Sequence, residues 1–352
     1  MSNYWNPFVQ KLDPYVPGEQ PKDKKYVKLN TNENPYPPSP KVTAAIKEAV
    51  NDQLRLYPDP NCDELRKKIA EHFEVKPSEV FIGNGSDEVL AFSFMTFFSA
   101  ENPVAFGDIT YSFYKVYANL CSLSPKIIPL NDDFSLPVDA FCEPNGGVVI
   151  PNPNAPTGRG LPIDSIRRIL DANSEHVVII DEAYIDFGGE SVIPLIKDYP
   201  NLLVVRTLSK YSSLAGIRVG FALGQKALID GLNTVKNSFN SYTIDRLALA
   251  GALAAIDDDA YSKGMAQQII ATREQTIKRL ENIGFTIIPS QSNFIFASHT
   301  EVNAEVIFHA LRDRGVLVRY FNQPRISNYL RITIGTDEEM DKLVEALKDI
   351  LN

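Results

Sequence analysis

The 352-residue sequence predicts an α/β fold: a large domain with a mostly parallel seven-stranded sheet covered by helices, a smaller α/β C-terminal domain, and an N-terminal arm. Three observations predict it. Seven short apolar or β-branched runs alternate with helical stretches between residues 79 and 223, as strands buried on both faces of a parallel sheet do. The pattern changes after about Asn240, where two long helical stretches come first and a second set of strands follows. The first 38 residues hold seven prolines and no periodic apolar face. The expected boundaries are 1–38 for the arm, 39–240 for the large domain and 241–352 for the small one.

Pro7, Pro14, Pro17, Pro21, Pro35, Pro37 and Pro38 exclude a long regular element from the arm. Trp5, Phe8, Tyr15, Tyr26 and Tyr36 are more aromatic surface than a solvated tail carries, so the arm is expected to pack on something. Ser39 suits an N-cap and Pro40 the first position of a helix with helical spacing from Val42 to Val50. A second helix is expected over about Cys62–Phe73. Strands follow at Glu79–Ile82, Val104–Phe106, Lys126–Leu130, Val148–Ile150, Val177–Asp181, Leu202–Arg206 and Val219–Leu223. Helices at Asp87–Phe98, Tyr114–Leu120 and Asp164–Ala172 sit between them. Beyond Asn240 come helices Ile244–Ile256 and Tyr261–Ile283, strands Phe285–Ile288 and Asn293–Phe296, and a helix over Val302–Arg314. Strands Val316–Arg319 and Tyr329–Ile334 follow, and a last helix opens on Thr336 three residues before Glu339, a capping-box spacing.

Composition narrows the function. A hydrophobic fraction of 44% and a charged fraction of 22% exclude a disordered tail, a coiled coil and a collagen-like fibre. With 35 Lys plus Arg against 44 Asp plus Glu, the net charge of -9 argues against nucleic acid as a partner. Cys62, Cys121 and Cys142 lack a C-x-x-C, and no two of His72, His176, His299 and His309 stand three to five apart, so neither a disulfide framework nor a metal site is expected. Val89–Ala100, the greasiest stretch, is too short to span a bilayer. Met1–Lys11 lacks the basic start and apolar run of a signal peptide, so a cytoplasmic protein is expected.

Four segments carry chemistry, each at the end of an expected strand. Gly83-Asn84-Gly85-Ser86-Asp87-Glu88 turns a strand into a helix, and helix N-termini bind anions; alone it is a weak signal that reads first as turn punctuation. Pro151-Asn152-Pro153-Asn154-Ala155-Pro156-Thr157-Gly158 follows the strand Val148–Ile150, where open α/β sheets place ligands. Asp181 ends an apolar strand, needs a cation if it is buried, and has Tyr184 three residues on; its plain alternative is a helix cap. Lys210 follows Thr207-Leu208-Ser209 at another strand end, with Gly216-Ile217-Arg218-Val219-Gly220 just beyond; its plain alternative is a solvated surface lysine. Together they put an amine, a carboxylate, hydroxyls, an arginine and an anion-binding turn at one edge of one sheet. Pyridoxal phosphate asks for that inventory: an amine for its aldehyde, an acid for its pyridinium nitrogen, bonds to its ring hydroxyl and donors for its phosphate.

At this point the chain resembles fold type I pyridoxal-phosphate aminotransferases, and within them the histidinol-phosphate aminotransferase family, over almost its whole length. The narrower marks are Asp13-Pro14-Tyr15-Val16-Pro17-Gly18, Asn32-Glu33-Asn34-Pro35, Tyr57-Pro58-Asp59-Pro60 and Leu330-Arg331-Ile332-Thr333-Ile334-Gly335-Thr336. The resemblance implies that Lys210 holds the cofactor's aldehyde and shuttles a proton, that Asp181 keeps the pyridine nitrogen protonated, and that Tyr184 bonds the ring hydroxyl. The backbone of Ser86 and Asp87, the Ser209 hydroxyl and the Arg218 guanidinium would hold the phosphate, with Tyr111 stacked on the ring. Tyr57 would reach the phosphate of a partner subunit's cofactor, which implies a homodimer with shared active sites. Many relatives of this kind have Asn directly before Pro-Thr-Gly; here that position is Ala155. Either Asn154 supplies the bond to the ring hydroxyl, or Tyr184 bonds it alone and Asn154 is a turn residue.

The resemblance also places Arg319 and Arg331 as a clamp for anions and Tyr15 beside the substrate. The implied reaction is amino transfer between L-histidinol phosphate and 2-oxoglutarate, giving imidazole acetol phosphate and glutamate, run in reverse in histidine biosynthesis. An aromatic-amino-acid aminotransferase, a phosphothreonine-type decarboxylase and a catalytically silent binding protein of the same fold are the alternatives.

Overall fold

The computed structural model describes residues 4–351, so Met1–Asn3 of the expected arm and Asn352 of the expected small domain lie outside it. The arm carries one short strand, β1 (Val27–Lys28). Helix α1 (Pro40–Ala49) starts where Ser39 accepts the Lys41 amide and Pro40 occupies the first turn. Then come α2 (Asp63–His72), β2 (Val80–Asn84), α3 (Gly85–Phe97), β3 (Ala105–Gly107), α4 (Phe113–Leu120) and β4 (Lys126–Ile128). After α5 (Val138–Cys142), β5 (Val148–Pro151), α6 (Ile163–Ala172) and β6 (Val178–Asp181) follow. Strands β7 (Leu202–Thr207) and β8 (Val219–Gly224) and helix α7 (Lys226–Phe239) complete this part.

These strands form one seven-stranded sheet in the order β2-β8-β7-β6-β5-β3-β4. Only β8 runs against the others, pairing antiparallel with β2 and β7. The period-two alternation of a strand divides the core. Val178 and Ile180 of β6 face one apolar layer with α1, α2 and α6, while Ile179 faces the layer of α3, α4 and α7. Burial on both faces is why these strands read as continuous apolar runs.

Helix α8 (Arg246–Asp257) begins at Asp245, whose carboxylate caps two amides, and α9 (Asp259–Glu281) follows. Although they follow residue 240, Ile244, Ala248, Ala252 and Ala255 pack into the core of the large sheet. Next come β9 (Phe285–Ile288), β10 (Phe294–His299), α10 (Ala304–Asp313), β11 (Val316–Leu317), β12 (Arg319–Tyr320), β13 (Leu330–Thr333) and α11 (Asp337–Leu351). The antiparallel sheet β12-β13-β10-β9 is backed by α9, α10 and α11. The expected strand 316–319 is split: β11 pairs in parallel with β1 of the arm, and β12 pairs with β13. The Thr336–Glu339 capping box is closed in both directions. Among the described residues no helix is long and apolar enough to cross a membrane.

The arm is stitched to both units. Leu29 is part of the small core, Lys24 donates to the Asp313 carbonyl, and Arg312 pairs with Glu19. On the other side Tyr15 stacks on Phe113 with centroids 4.4 Å apart.

Candidate active site

Register sets the site. Pro151 lies opposite Asp181, Asp181 opposite Val205, and Thr207 opposite Gly220, so the ends of β5, β6 and β7 come level. The cavity beyond them is closed by the arm and by β12 and β13. It is lined by Ser86, Asp87, Tyr111, Asp181, Tyr184, Ser209, Lys210 and Arg218, and on its outer side by Tyr15, Arg319 and Arg331.

One end is built for an anion. Helix α3 opens at Gly85, whose φ of +75° favours glycine. A Cβ there would lie 2.5 Å from Arg218 Nη2, and one on Gly220 would lie 2.4 Å from the Ser86 nitrogen. The Arg218 guanidinium therefore lies flat against the first turn of α3, where free amides point outward. Its Nη2 pairs with Asp87 Oδ2 at 2.9 Å. Asp87 Oδ1 also accepts the Tyr111 hydroxyl at 2.8 Å. Buried Ser209 Oγ has no hydrogen-bond partner among the described residues. A buried hydroxyl in a polar cavity is a donor in want of an acceptor.

The other end is built for a cation. Asp181 is 5% exposed, and its Oδ2 accepts the Tyr114 hydroxyl at 2.8 Å while Oδ1 accepts the Ala183 amide at 3.2 Å. Burial pushes its carboxyl up to about 6, against the pull of those two bonds. The neighbouring Glu182 is equally buried but pairs with Arg206 at 3.1 Å. Among the described residues Asp181 forms no ion pair, so it is the carboxylate still lacking a counter-charge. The pyridinium of pyridoxal phosphate fits that vacancy of charge, and its phosphate fits the Ser209–Arg218 end.

Lys210 reaches into the space between. Its Nζ donates to the Thr31 carbonyl at 3.3 Å and lies 5.9 Å from the Tyr184 ring centre. Asn34 holds the Lys210 carbonyl at 3.0 Å. The Tyr184 hydroxyl accepts from Asn32 Nδ2 at 3.0 Å.

Arg319 and Arg331 face each other across β12 and β13. Like charges directly opposite repel, and among the described residues neither forms an ion pair. Arg331 donates to the Asn30 carbonyl, lies near the Phe294 and Phe321 rings, and has a buried Nε with no partner. Burial pushes its guanidinium pKa down. An anion between the two side chains would relieve both deficits.

Two residues named from the sequence are not in this cavity. The Asn154 amide is turned away, donating to the Ile109 carbonyl at 3.1 Å and to Thr157 Oγ1 at 2.9 Å, and buried Ala155 presents its methyl instead. The structure thus does not bring the Asn154 amide into the cavity with Lys210 and Asp181. Tyr57 is 76% exposed and stacks on Tyr242 outside the cavity. Sequence reasoning gave no role to Asn30, Thr31, Asn32 or Tyr114. Asn32 and Asn34 stood only as marks of the resemblance, and Tyr114 only as the first residue of an expected helix.

The model of the family "Aminotransferase class I and II" matches residues 24–347. A histidinol-phosphate aminotransferase of Clostridium acetobutylicum is 61% identical over all of both chains. One from a Marinomonas species is 60% identical over 99% of this chain and 100% of its own. Among solved structures, the histidinol-phosphate aminotransferase of Sinorhizobium meliloti in complex with pyridoxal-5'-phosphate superposes with a TM-score of 0.90 at 26% identity, covering 100% of this chain and 98% of that one. With the anion cradle, the cation-seeking carboxylate and the lysine already in place between them, these likenesses assign the chain to the class I and II aminotransferases and, within them, to the histidinol-phosphate aminotransferase family.

Proposed function

We propose that this chain transfers an amino group between L-histidinol phosphate and 2-oxoglutarate, as a step of histidine biosynthesis, with pyridoxal phosphate as its cofactor. The observation that carries the reading is the pair Arg319 and Arg331, two guanidinium groups without carboxylate partners among the described residues, facing the cavity that holds Lys210 and Asp181. A phosphate monoester and a dicarboxylate both bring an anion to that pair, so one clamp serves both half-reactions.

When bound, pyridoxal phosphate supplies an aldehyde that takes up the amine and a pyridinium that draws electrons from the adjacent carbon. The chain does the rest. The backbone amides of Ser86 and Asp87, the Ser209 hydroxyl and the Arg218 guanidinium would hold the phosphate. Asp181, itself fixed by Tyr114, holds the proton on the ring nitrogen. Tyr111 would cover one face of the ring, and Tyr184 would donate to the ring oxygen. Lys210 Nζ would take the proton from the substrate Cα and hold it for return to the cofactor side. Tyr15, with Arg319 and Arg331, holds the far end of the substrate and keeps water out.

The working unit of this reading is a cytoplasmic homodimer. Tyr57, Tyr242 and Phe239 are exposed aromatic residues on one side of the large unit, and Arg246 holds the Leu56 and Tyr57 carbonyls so that the ring is presented outward. Tyr57 then serves the cofactor phosphate of a second copy. The reading is tested by turnover with histidinol phosphate and 2-oxoglutarate set against turnover with phenylalanine. A higher specificity constant for phenylalanine would replace it with the aromatic aminotransferase reading.

A further inference from the structure

Three tyrosines stand around the inner cavity, and two of them have spent their hydroxyl hydrogens. Tyr111 donates to Asp87 and Tyr114 to Asp181. Tyr184 is the third. Its hydroxyl accepts from Asn32 Nδ2 at 3.0 Å, so its own hydrogen points elsewhere. At the neighbouring turn the cavity meets the Ala155 methyl, which cannot donate, and the Asn154 amide is engaged away from it. Whatever oxygen lies at this end of the cavity depends on Tyr184.

The direction of the Asn32 bond is set by Thr333. The Thr333 hydroxyl accepts the Asn32 backbone N–H at 3.0 Å and donates to Asn32 Oδ1 at 3.0 Å. Thr333 is 2% exposed, and its hydroxyl makes no other hydrogen bond among the described residues. Turning the Asn32 amide over would put its NH2 against Thr333 and leave a buried hydroxyl hydrogen without an acceptor. Asn293 Nδ2 holds the Asn32 carbonyl at 3.0 Å. Asn32 itself sits at φ +55°, a conformation Asn tolerates better than most residues. The arm, the small sheet and the large sheet thus meet in one polarised chain: Thr333 to Asn32 to Tyr184.

We propose that Asn32, locked by Thr333, is a positioning residue that fixes the polarity of the Tyr184 hydroxyl, so that Tyr184 always donates into the cavity, onto the ring oxygen of the cofactor. The inference rests on the pyridoxal-phosphate reading above. A donor on that oxygen stabilises its negative charge, which is greatest once the lysine-linked cofactor has lost its proton. Weakening the donor therefore raises the pH midpoint of the cofactor's visible absorption.

The test is a pH titration of that absorption in the holoenzyme, for wild type, Tyr184→Phe, Asn32→Gly, Asn32→Asp, Thr333→Val and Thr333→Ser. Asn32→Gly keeps the backbone conformation and adds no charge. Asn32→Asp replaces the donor by an acceptor that competes for the Tyr184 hydrogen. Tyr184→Phe should raise the midpoint by about one pH unit or more. Asn32→Gly and Thr333→Val should move it the same way by a smaller amount, Asn32→Asp at least as far as Tyr184→Phe, and Thr333→Ser should stay at wild type. A shift in Tyr184→Phe with none in Asn32→Gly and Thr333→Val would make Asn32 a structural residue only and overturn the inference. No shift in Tyr184→Phe would remove Tyr184 from the ring oxygen and the inference with it. A wild-type protein with no cofactor absorption at all would instead sink the pyridoxal-phosphate reading.

Discussion

Replacing Asp181 by Asn should stabilise the cofactor-free protein while crippling the holoenzyme. Burial raises the Asp181 carboxyl from its ordinary 3.8 to about 6. Between those values the folded chain binds more protons than the unfolded one, so stability present below about pH 4 is lost as pH rises to about 6. Two units at about 1.36 kcal/mol each put the loss near 3 kcal/mol at pH 7, with roughly half of it present at pH 5. Asn carries no charge and escapes this. Its oxygen can keep the Ala183 amide, and the Tyr114 hydroxyl must then turn to accept from the new NH2, giving back about 1 kcal/mol. The cofactor-free variant should therefore gain about 2 kcal/mol over wild type at pH 7 and clearly less at pH 5. Urea unfolding of both proteins at the two pH values measures it. In the holoenzyme the ring nitrogen loses its charged partner, and the rate should fall about a hundredfold or more. Stabilities that run parallel between pH 5 and 7 would refute the claim that an uncompensated charge sits at Asp181, and a near wild-type rate would take Asp181 out of the mechanism.

Three further outcomes are expected. Borohydride reduction of the holoenzyme followed by peptide mapping should label Lys210, and Lys210→Ala should lose both the label and turnover; a label on another lysine overturns the assignment. Mixing Lys210→Ala with Tyr57→Ala should restore activity through heterodimers with one intact site, and failure despite proven heterodimers and a badly impaired Tyr57→Ala parent places Tyr57 in its own chain or outside catalysis. Arg331→Gln should shrink the preference for histidinol phosphate over histidinol, about a hundredfold or more in wild type from one or two charged hydrogen bonds, and leave the cofactor spectrum unchanged; an unchanged ratio at fixed ionic strength removes Arg331 from the clamp.

The fold was legible where burial and period agree. Strands β5, β6 and β7 are buried on both faces, and their apolar runs stand within a residue of the observed ends. Helix α7 was missed for the opposite reason. It buries only Ile229, Leu232 and Lys236, and it carries Gly231, a poor helix former, in its interior. That glycine lies where α7 meets α3, since a Cβ there would come within 2.8 Å of Thr96 Cγ2. Lys236 reads as a surface residue but ends on the Pro60 carbonyl at 2.7 Å, a contact across 176 positions. The strand expected over 316–319 was split because its first half pairs with the arm, and the arm, with its prolines, offers no period from which a strand could be read.

The site divides along the same line. That Lys210, Asp181, Ser209 and Arg218 come to one cavity was legible because a charged or polar group at the end of an apolar strand has few structural reasons to be there. Tyr114 had such a reason: it fills the core on α4, and only its hydroxyl, at 2.8 Å from Asp181, belongs to the site. The arm was hidden more deeply, because much of what it offers is backbone. Thr31 and Asn30 give carbonyls to Lys210 and Arg331, contacts made across 179 and 301 positions, and a carbonyl leaves no trace in residue type. Those contacts give the arm its meaning. Lys210 comes from the large sheet and Arg331 from the small one, and each ends on a neighbouring carbonyl of one short stretch between Asn30 and Thr31. Moving the small sheet relative to the large would break one of these bonds unless the arm moved too. In the cofactor-free chain the arm therefore ties Lys210 of the large sheet and Arg331 of the small sheet to two neighbouring carbonyls, a link that residue types alone do not reveal.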